Sequence, residues 1–415
     1  MGPSALVTGS GKPNAEVVAI RARGPGSAPA GRGSEVEQWA AKRQLYLDNL
    51  KVILIAAVIA GHAVLGYSQL DAWSYADVRE VTLRPAVAYV LLAVSAPFAL
   101  LVIPLLFLIA GLLTPPSLDR KGPGRFIRDR LLRLGVPFAV FALLLWPLLE
   151  YVLFRQLGEA PGLWTYFRAE GSLDTGVLWF VGALLIFSLA HAGWVWVRRG
   201  HEAQRPRRGE IKVGHLFLLG AAVTVATFLV RLVLPFESDN KYVDLNMWEW
   251  PACAALFGLG IMASRAGWLT AVPDRLRRQS RTVTLVAVGA AAVFAATAIT
   301  LGVVGEQLWG GFYWPALVFA AGESTLSVFG PVWLLGVAQR RLNRSFRWAR
   351  PVISRSSYGA FMLQGPVLIA LAIALRPLPL PAEVKALIVA AGGVVGSFAL
   401  ASLLVSRVPG VRRIL

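Results

Sequence analysis

The sequence predicts an all-α polytopic membrane protein with about ten transmembrane helices and both termini in the cytoplasm. Three observations predict it. Of 415 residues, 56% are hydrophobic and only 15% charged, and the mean hydropathy is +0.61, which does not describe a soluble globular chain. Apolar runs of about 20 residues, enough to cross a ~30 Å hydrocarbon core, recur along the chain. The basic residues, which give a net charge of +18, fall in short clusters between those runs. That distribution fixes topology by the positive-inside rule and argues against nucleic acid as a partner.

Residues 1–46 are rich in Gly, Pro, Ser and Ala and carry no apolar core. They predict a disordered basic cytoplasmic tail, with no cleaved signal peptide, so the first apolar run serves as a signal anchor. A single transmembrane domain follows over 47–405, and 406–415 form a short basic cytoplasmic tail. The spans expected are 47–68, 86–113, 134–153, 175–197, 213–235, 247–268, 282–304, 314–338, 356–375 and 385–405. The second is longer than a simple span and contains Pro97 and Pro104, which predicts a kinked or tilted helix.

Ten is the number that sorts the charges. The connections and tails on one side hold 32 Lys and Arg, and those on the other hold 6. The basic side is the cytoplasm, and an even number of spans puts both termini there. The opposite connections carry Asp71, Asp77, Asp174, Glu237, Asp239 and Asp244 with Trp73, Tyr75, Trp164, Tyr166, Tyr242, Trp309 and Tyr313. Two readings fit them: an interfacial aromatic belt with solvated acids, or a surface whose rings stack on sugar C–H groups. The single cysteine, Cys253, lies in an apolar run, so no internal disulfide and no cysteine zinc cluster are expected.

Among polar groups within the spans, His62 stands out. Fifteen residues beyond Leu47, it lies about 22 Å from the inner end of the first span, too deep for snorkelling. Histidine is also the side chain suited to moving protons near neutral pH. Glu323 in the eighth span falls at a comparable depth and is a candidate to orient the imidazole, as the acid of a triad does. Asp48, about 21 Å below on the same helix, is too far to do so. A structural interhelical hydrogen bond is the plain alternative for His62.

At the inner face Arg120, Lys121, Arg125, Arg128, Arg130 and Arg133 form a dense basic segment. Arginine binds phosphate oxygens through a planar fork, and Arg130 and Arg133, three apart at a helix start, share one face. Topology alone would also account for them. Lys51 either joins a phosphate site or snorkels beside Asp48. His191 reads as packing or interfacial, Arg231 as snorkelling, and His201 and His215 have no metal-ligand spacing. No P-loop, G-x-S-x-G elbow or H-E-x-x-H occurs, so ATP hydrolysis, elbow hydrolases and zincin chemistry have no support.

Four stretches then stand in order: LDNLK followed by GH in the first span, FLIAGLLTPPSLDRKGPGRFIRDRLLRLGVPF from the second to the third, LWFVGALLIF in the fourth and SSYGAFMLQGP in the ninth. In that order, over roughly residues 44 to 405, the chain resembles the acyltransferase 3 family of integral-membrane O-acyltransferases. The resemblance implies an acyl-CoA co-substrate, no tightly bound cofactor, and transfer of the acyl group to a hydroxyl of a carbohydrate or other acceptor. The setting it implies is a bacterial cell membrane. The family's basic-residue-to-histidine motif maps onto Lys51 and His62, with lysine where arginine is usual. Its paired arginines before a proline map onto Arg130, Arg133 and Pro137. Its ninth-span motif often ends in histidine, where this chain has Gln364.

The resulting expectation is His62 as general base, Glu323 as its orienting acid, and Lys51, Arg130 and Arg133 on acyl-CoA. Asp48, Trp179, Tyr358 and Gln364 would line a tunnel for the pantetheine arm. The competing class is a glycan or lipid transporter without acyl chemistry. No duplicated halves or matched broken helices favour it. An inactive relative acting as a scaffold is the third reading.

Overall fold

The computed structural model describes residues 31–69, 73–156, 158, 162–169, 173–198, 209–236, 243–303, 305–346 and 351–408. Each of the ten expected apolar segments is helical: α1 (Gly31–Leu65), α2 (Pro85–Lys121), α3 (Pro123–Arg155), α4 (Trp179–Val197), α5 (Val213–Arg231), α6 (Trp250–Arg265), α7 (Asp274–Thr300), α8 (Trp314–Arg341), α9 (Pro351–Leu375) and α10 (Ala382–Arg407). Among the described residues nine of these are long and apolar enough to cross a membrane. The exception is α6, whose 16 residues span about 24 Å. A 3-10 turn at Met247–Glu249 precedes it and adds about 6 Å. The protein is thus an all-α, multi-pass membrane protein.

α1 starts earlier than composition suggested. Residues 31–46, expected to lack order, are helical. The reason is local: from Glu35 onward the run is dominated by Glu, Gln, Ala, Lys, Arg and Leu, all good helix formers, and the Gly- and Pro-rich composition ends before it. Residues 1–30 and 409–415, the rest of the two expected tails, lie outside the described residues. The second span is also longer than expected, and α2 runs unbroken through Pro97 and Pro104 to Lys121.

Close crossings hold the bundle. α2 packs against α6 where Gly111 meets Gly260. A Cβ on Gly111 would collide with the carbonyl oxygen of Phe257, and one on Gly260 with that of Leu108, so the two backbones touch. Small residues permit such an approach where water supplies no drive between helices. α8 packs on α2, α5 and α7, and α9 and α10 form a hairpin. α3 is interrupted by two π segments, Leu131–Gly135 and Phe141–Leu145. Pro137 and Pro147 just after the start of each following α segment lack the N–H that a regular ladder needs.

Two features were not anticipated. A two-residue parallel pair, β1 (Leu173–Asp174) with β2 (Val243–Asp244), ties the connection before α4 to the one before α6. Arg231 does not snorkel. It is 2% exposed and paired with the equally buried Glu323, Nη1 to Oε2 at 2.7 Å and Nη2 donating to Oε1 at 3.0 Å. Phe236, Trp248 and Phe319 surround the guanidinium at 5.0–5.7 Å. An ion pair with one hydrogen bond, inside a ring of aromatic faces, balances two charges that the bilayer would otherwise expel.

Candidate functional site

His62 sits in the last turn of α1, three residues before its end at Leu65. The helix is shorter at this end than the apolar run, so length alone does not bury the imidazole. The chain does so by folding back: Trp73, 8% exposed, lays its indole on the His62 ring with centroids 4.8 Å apart. His62 Nδ1 lies 3.1 Å from Oε1 of Gln364 on α9. Gln364 is fully buried, and its Nε2 donates to the Phe361 carbonyl at 3.1 Å. With the amide nitrogen thus occupied, the amide oxygen faces the ring and only accepts, so Nδ1 carries the proton. The neutral imidazole then presents Nε2 as its lone pair.

A second layer fixes this arrangement. Trp146 on α3 packs against Trp73, centroids 5.7 Å apart, and donates its Nε1–H to Asp174 Oδ2 at 2.7 Å. The other carboxylate oxygen accepts the Gly176 N–H at 2.7 Å. Gly176 has φ +46°, and a Cβ there would enter the Trp146 ring, so the turn requires glycine. Gly365, next to Gln364, lies against Trp146 and Trp73 with the same economy of space. Trp73 and Tyr75, read from sequence as part of an exposed aromatic belt or sugar surface, are buried. Trp164 and Tyr313 remain exposed.

Toward the other end of α1, where the basic connections gather, Lys51 Nζ lies 3.4 Å from Asp48 Oδ1, both partly exposed. Between them Asn49 is buried and donates to the carbonyls of Leu342 and Arg344 at 2.7 and 2.9 Å. It satisfies carbonyls just past the end of α8, which otherwise have no partner within that helix. The two arginines of α3 part company. Arg133 is exposed and paired with Asp129 at 3.1 Å, and Lys121 holds the other oxygen of that carboxylate at 2.7 Å. Arg130 lies over the Phe126 ring at 5.0 Å and has no ion-pair partner among the described residues. Its charge acts on the Tyr358 phenol of α9, whose buried hydroxyl has no hydrogen-bond partner among the described residues. The π segment at Leu131–Gly135 explains the separation, because i→i+5 bonding widens the turn and residues three apart no longer stack.

A family model described as an acyltransferase domain matches residues 44–406. The chain belongs to the acyltransferase 3 family. Comparison with curated proteins and with solved structures gives no match.

The carboxylate expected from helix depth to orient the imidazole lies elsewhere. Glu323 does not orient His62; Arg231 engages both of its oxygens, and the group at Nδ1 is Gln364. Equal depth in the bilayer says nothing about which face of a helix a side chain occupies. Trp179 heads α4 and packs into the core edge-on to Phe180, centroids 6.5 Å apart. His191 is half-buried, with a buried Nε2 that has no hydrogen-bond partner among the described residues. Among the described residues no three His, Cys, Asp or Glu side chains gather as metal ligands would.

Sequence reasoning missed Asn49, Trp146, Asp174 as a fixed acceptor, and a buried lysine, Lys385. The spacing of Asp174 and Gly176 carried a signal, since an acid two residues before a glycine is the pattern of an Asx-type turn. Lys385 carried none. Its partner Glu80, 2.6 Å away, lies 305 residues off in sequence.

Proposed function

We propose that this acyltransferase moves an acyl group from acyl-CoA to a hydroxyl of a carbohydrate or other acceptor, with His62 as general base. The observation that carries the proposal is the His62–Gln364 contact, in which an amide oxygen facing Nδ1 favours the tautomer with its proton on Nδ1 and its lone pair on Nε2. His62 Nε2 takes the hydroxyl proton as the oxygen attacks the thioester carbonyl carbon. The tetrahedral adduct collapses, the C–S bond breaks, and the imidazolium returns the proton to sulfur. The products are an ester and free CoA thiol, and no proton is left over. The negative end of the α1 dipole favours the transient positive charge on a ring in its last turn.

Arg130 is the best-supported contact for the phosphates of CoA, because among the described residues no carboxylate lies within ion-pair distance of it and its charge acts on the Tyr358 phenol. Arg133 and Lys51 would contribute more weakly, each already sharing a carboxylate. The pantetheine arm would run from Arg130 past Tyr358 and Trp179 toward Gln364. The basic asymmetry supports a cytoplasmic donor side with an acceptor arriving from the opposite face, and the family resemblance suggests a bacterial cell membrane as the setting.

Mass spectrometry of envelope glycans and exported metabolites, with and without the protein, tests the reaction class. A mass gain matching an ester, dependent on the protein, is expected. Export of an unmodified compound instead would favour a transporter.

A further inference from the structure

The residues that follow α1 carry a fastening that the transfer chemistry leaves unused. Beyond Trp73, the 3-10 turn Ser74–Val78 leads to Glu80, and the Leu83 N–H donates back to the Tyr67 carbonyl at 2.8 Å. Glu80 gathers three groups. The Tyr75 hydroxyl donates to Oε2 at 2.8 Å, Lys385 Nζ donates to Oε1 at 2.6 Å, and Arg376 Nε lies 3.8 Å from Oε2. Tyr75 and Lys385 are each 1% exposed, so the ammonium has its charge balanced by Glu80 alone among the described carboxylates. Lys385 also donates to the Arg376 carbonyl at 3.3 Å, which joins the end of α9 to the start of α10.

We propose that Glu80 is a positioning residue for transfer: by fastening Tyr75 to Lys385 it holds Trp73 on the His62 imidazole and sets which acceptors reach it. Tyr75 is two residues from Trp73, so a rigid hold on the phenol fixes the indole. A buried ammonium facing a carboxylate is a strong fastening once formed, because separating the pair leaves an uncompensated charge. The hold is also distant from the donor end, so it acts on the acceptor and not on acyl-CoA. This proposal rests on His62 being the reacting base, and its test has one arm that does not need turnover.

Two variants loosen the fastening without stranding the buried ammonium. Tyr75→Phe removes the phenol's hydrogen bonds to Glu80 and to the Ala372 carbonyl, and Glu80→Gln combined with Lys385→Met removes the ion pair as a neutral set. Diethyl pyrocarbonate modification of His62, followed peptide by peptide, reads the cover directly, with the exposed His215 as internal reference. Faster labelling of His62 is expected in both variants, at least severalfold in the double one, with His215 unchanged. Unchanged labelling of His62 in inserted protein overturns the proposal. The acceptor KM is expected to rise about tenfold in the double variant, the equivalent of one charged hydrogen bond, with donor affinity kept. Faster labelling without a change in acceptor KM also overturns it, and reduces Glu80 to a structural tie. If the wild-type protein transfers no acyl group, the proposed reaction fails while the labelling arm still decides the cover.

Discussion

His62 on α1 and Gln364 on α9 are 302 residues apart in sequence and joined by a 3.1 Å hydrogen bond in the bundle. The glutamine does for the imidazole what a carboxylate does in a triad, with one difference. It fixes the tautomer, but being neutral it adds no charge to stabilise the imidazolium. Replacing it with leucine removes the acceptor for the ring N–H and frees the ring to turn. Gln364→Leu should lower turnover by about 10- to 100-fold, the scale of one buried hydrogen bond left unmade, with acyl-CoA affinity unchanged. Steady-state rates beside donor binding on purified protein check this. Turnover at the wild-type level would mean the bond does not orient the base.

Arg130 and Arg133 should behave differently, because Asp129 pairs with Arg133, whereas Arg130 rests on the Phe126 ring and has no ion-pair partner among the described residues. Arg130→Ala should weaken acyl-CoA binding, and that binding in the wild type should fall with added salt. Arg133→Ala should have the smaller effect. Titration of acyl-CoA into sealed vesicles of known orientation also reads the side: binding is expected at the face bearing the basic connections. Equal losses from both variants would contradict the assignment of roles, and binding at the other face would contradict the orientation.

Arg231 and Glu323 predict a stability effect. Glu323→Gln leaves a guanidinium buried without its paired carboxylate, which typically costs about 3–5 kcal/mol. Thermal unfolding in detergent should fall steeply for this variant and recover largely when Arg231→Met is added. Full stability in the single variant would show that another group, Glu249 or water, supplies the counter-charge.

The ten helices were legible because apolar runs and clustered charge are local properties of sequence. His62 was legible because an ionisable residue in an apolar run is conspicuous. Its partners were not. Gln364 and Glu323 each had a depth along a helix that sequence could supply, and Trp73 a place in the connection after α1, yet pairing depends on rotation, on which helices are neighbours and on how a connection folds back. Glu323 was therefore assigned to His62 when Arg231 holds it, and Trp73 was taken for surface when it covers the imidazole. α6 shows the same limit in length: its 3-10 start lies within an apolar run that reads as continuous helix.

The most direct test of the account is the turnover of His62→Gln. Glutamine keeps a hydrogen-bonding side chain of similar size but cannot carry a proton at neutral pH. General-base assistance contributes about 10²–10⁴-fold, so acyl transfer should fall by that factor while the protein inserts and binds acyl-CoA normally. Transfer at the wild-type rate would make the histidine structural and contradict the mechanism.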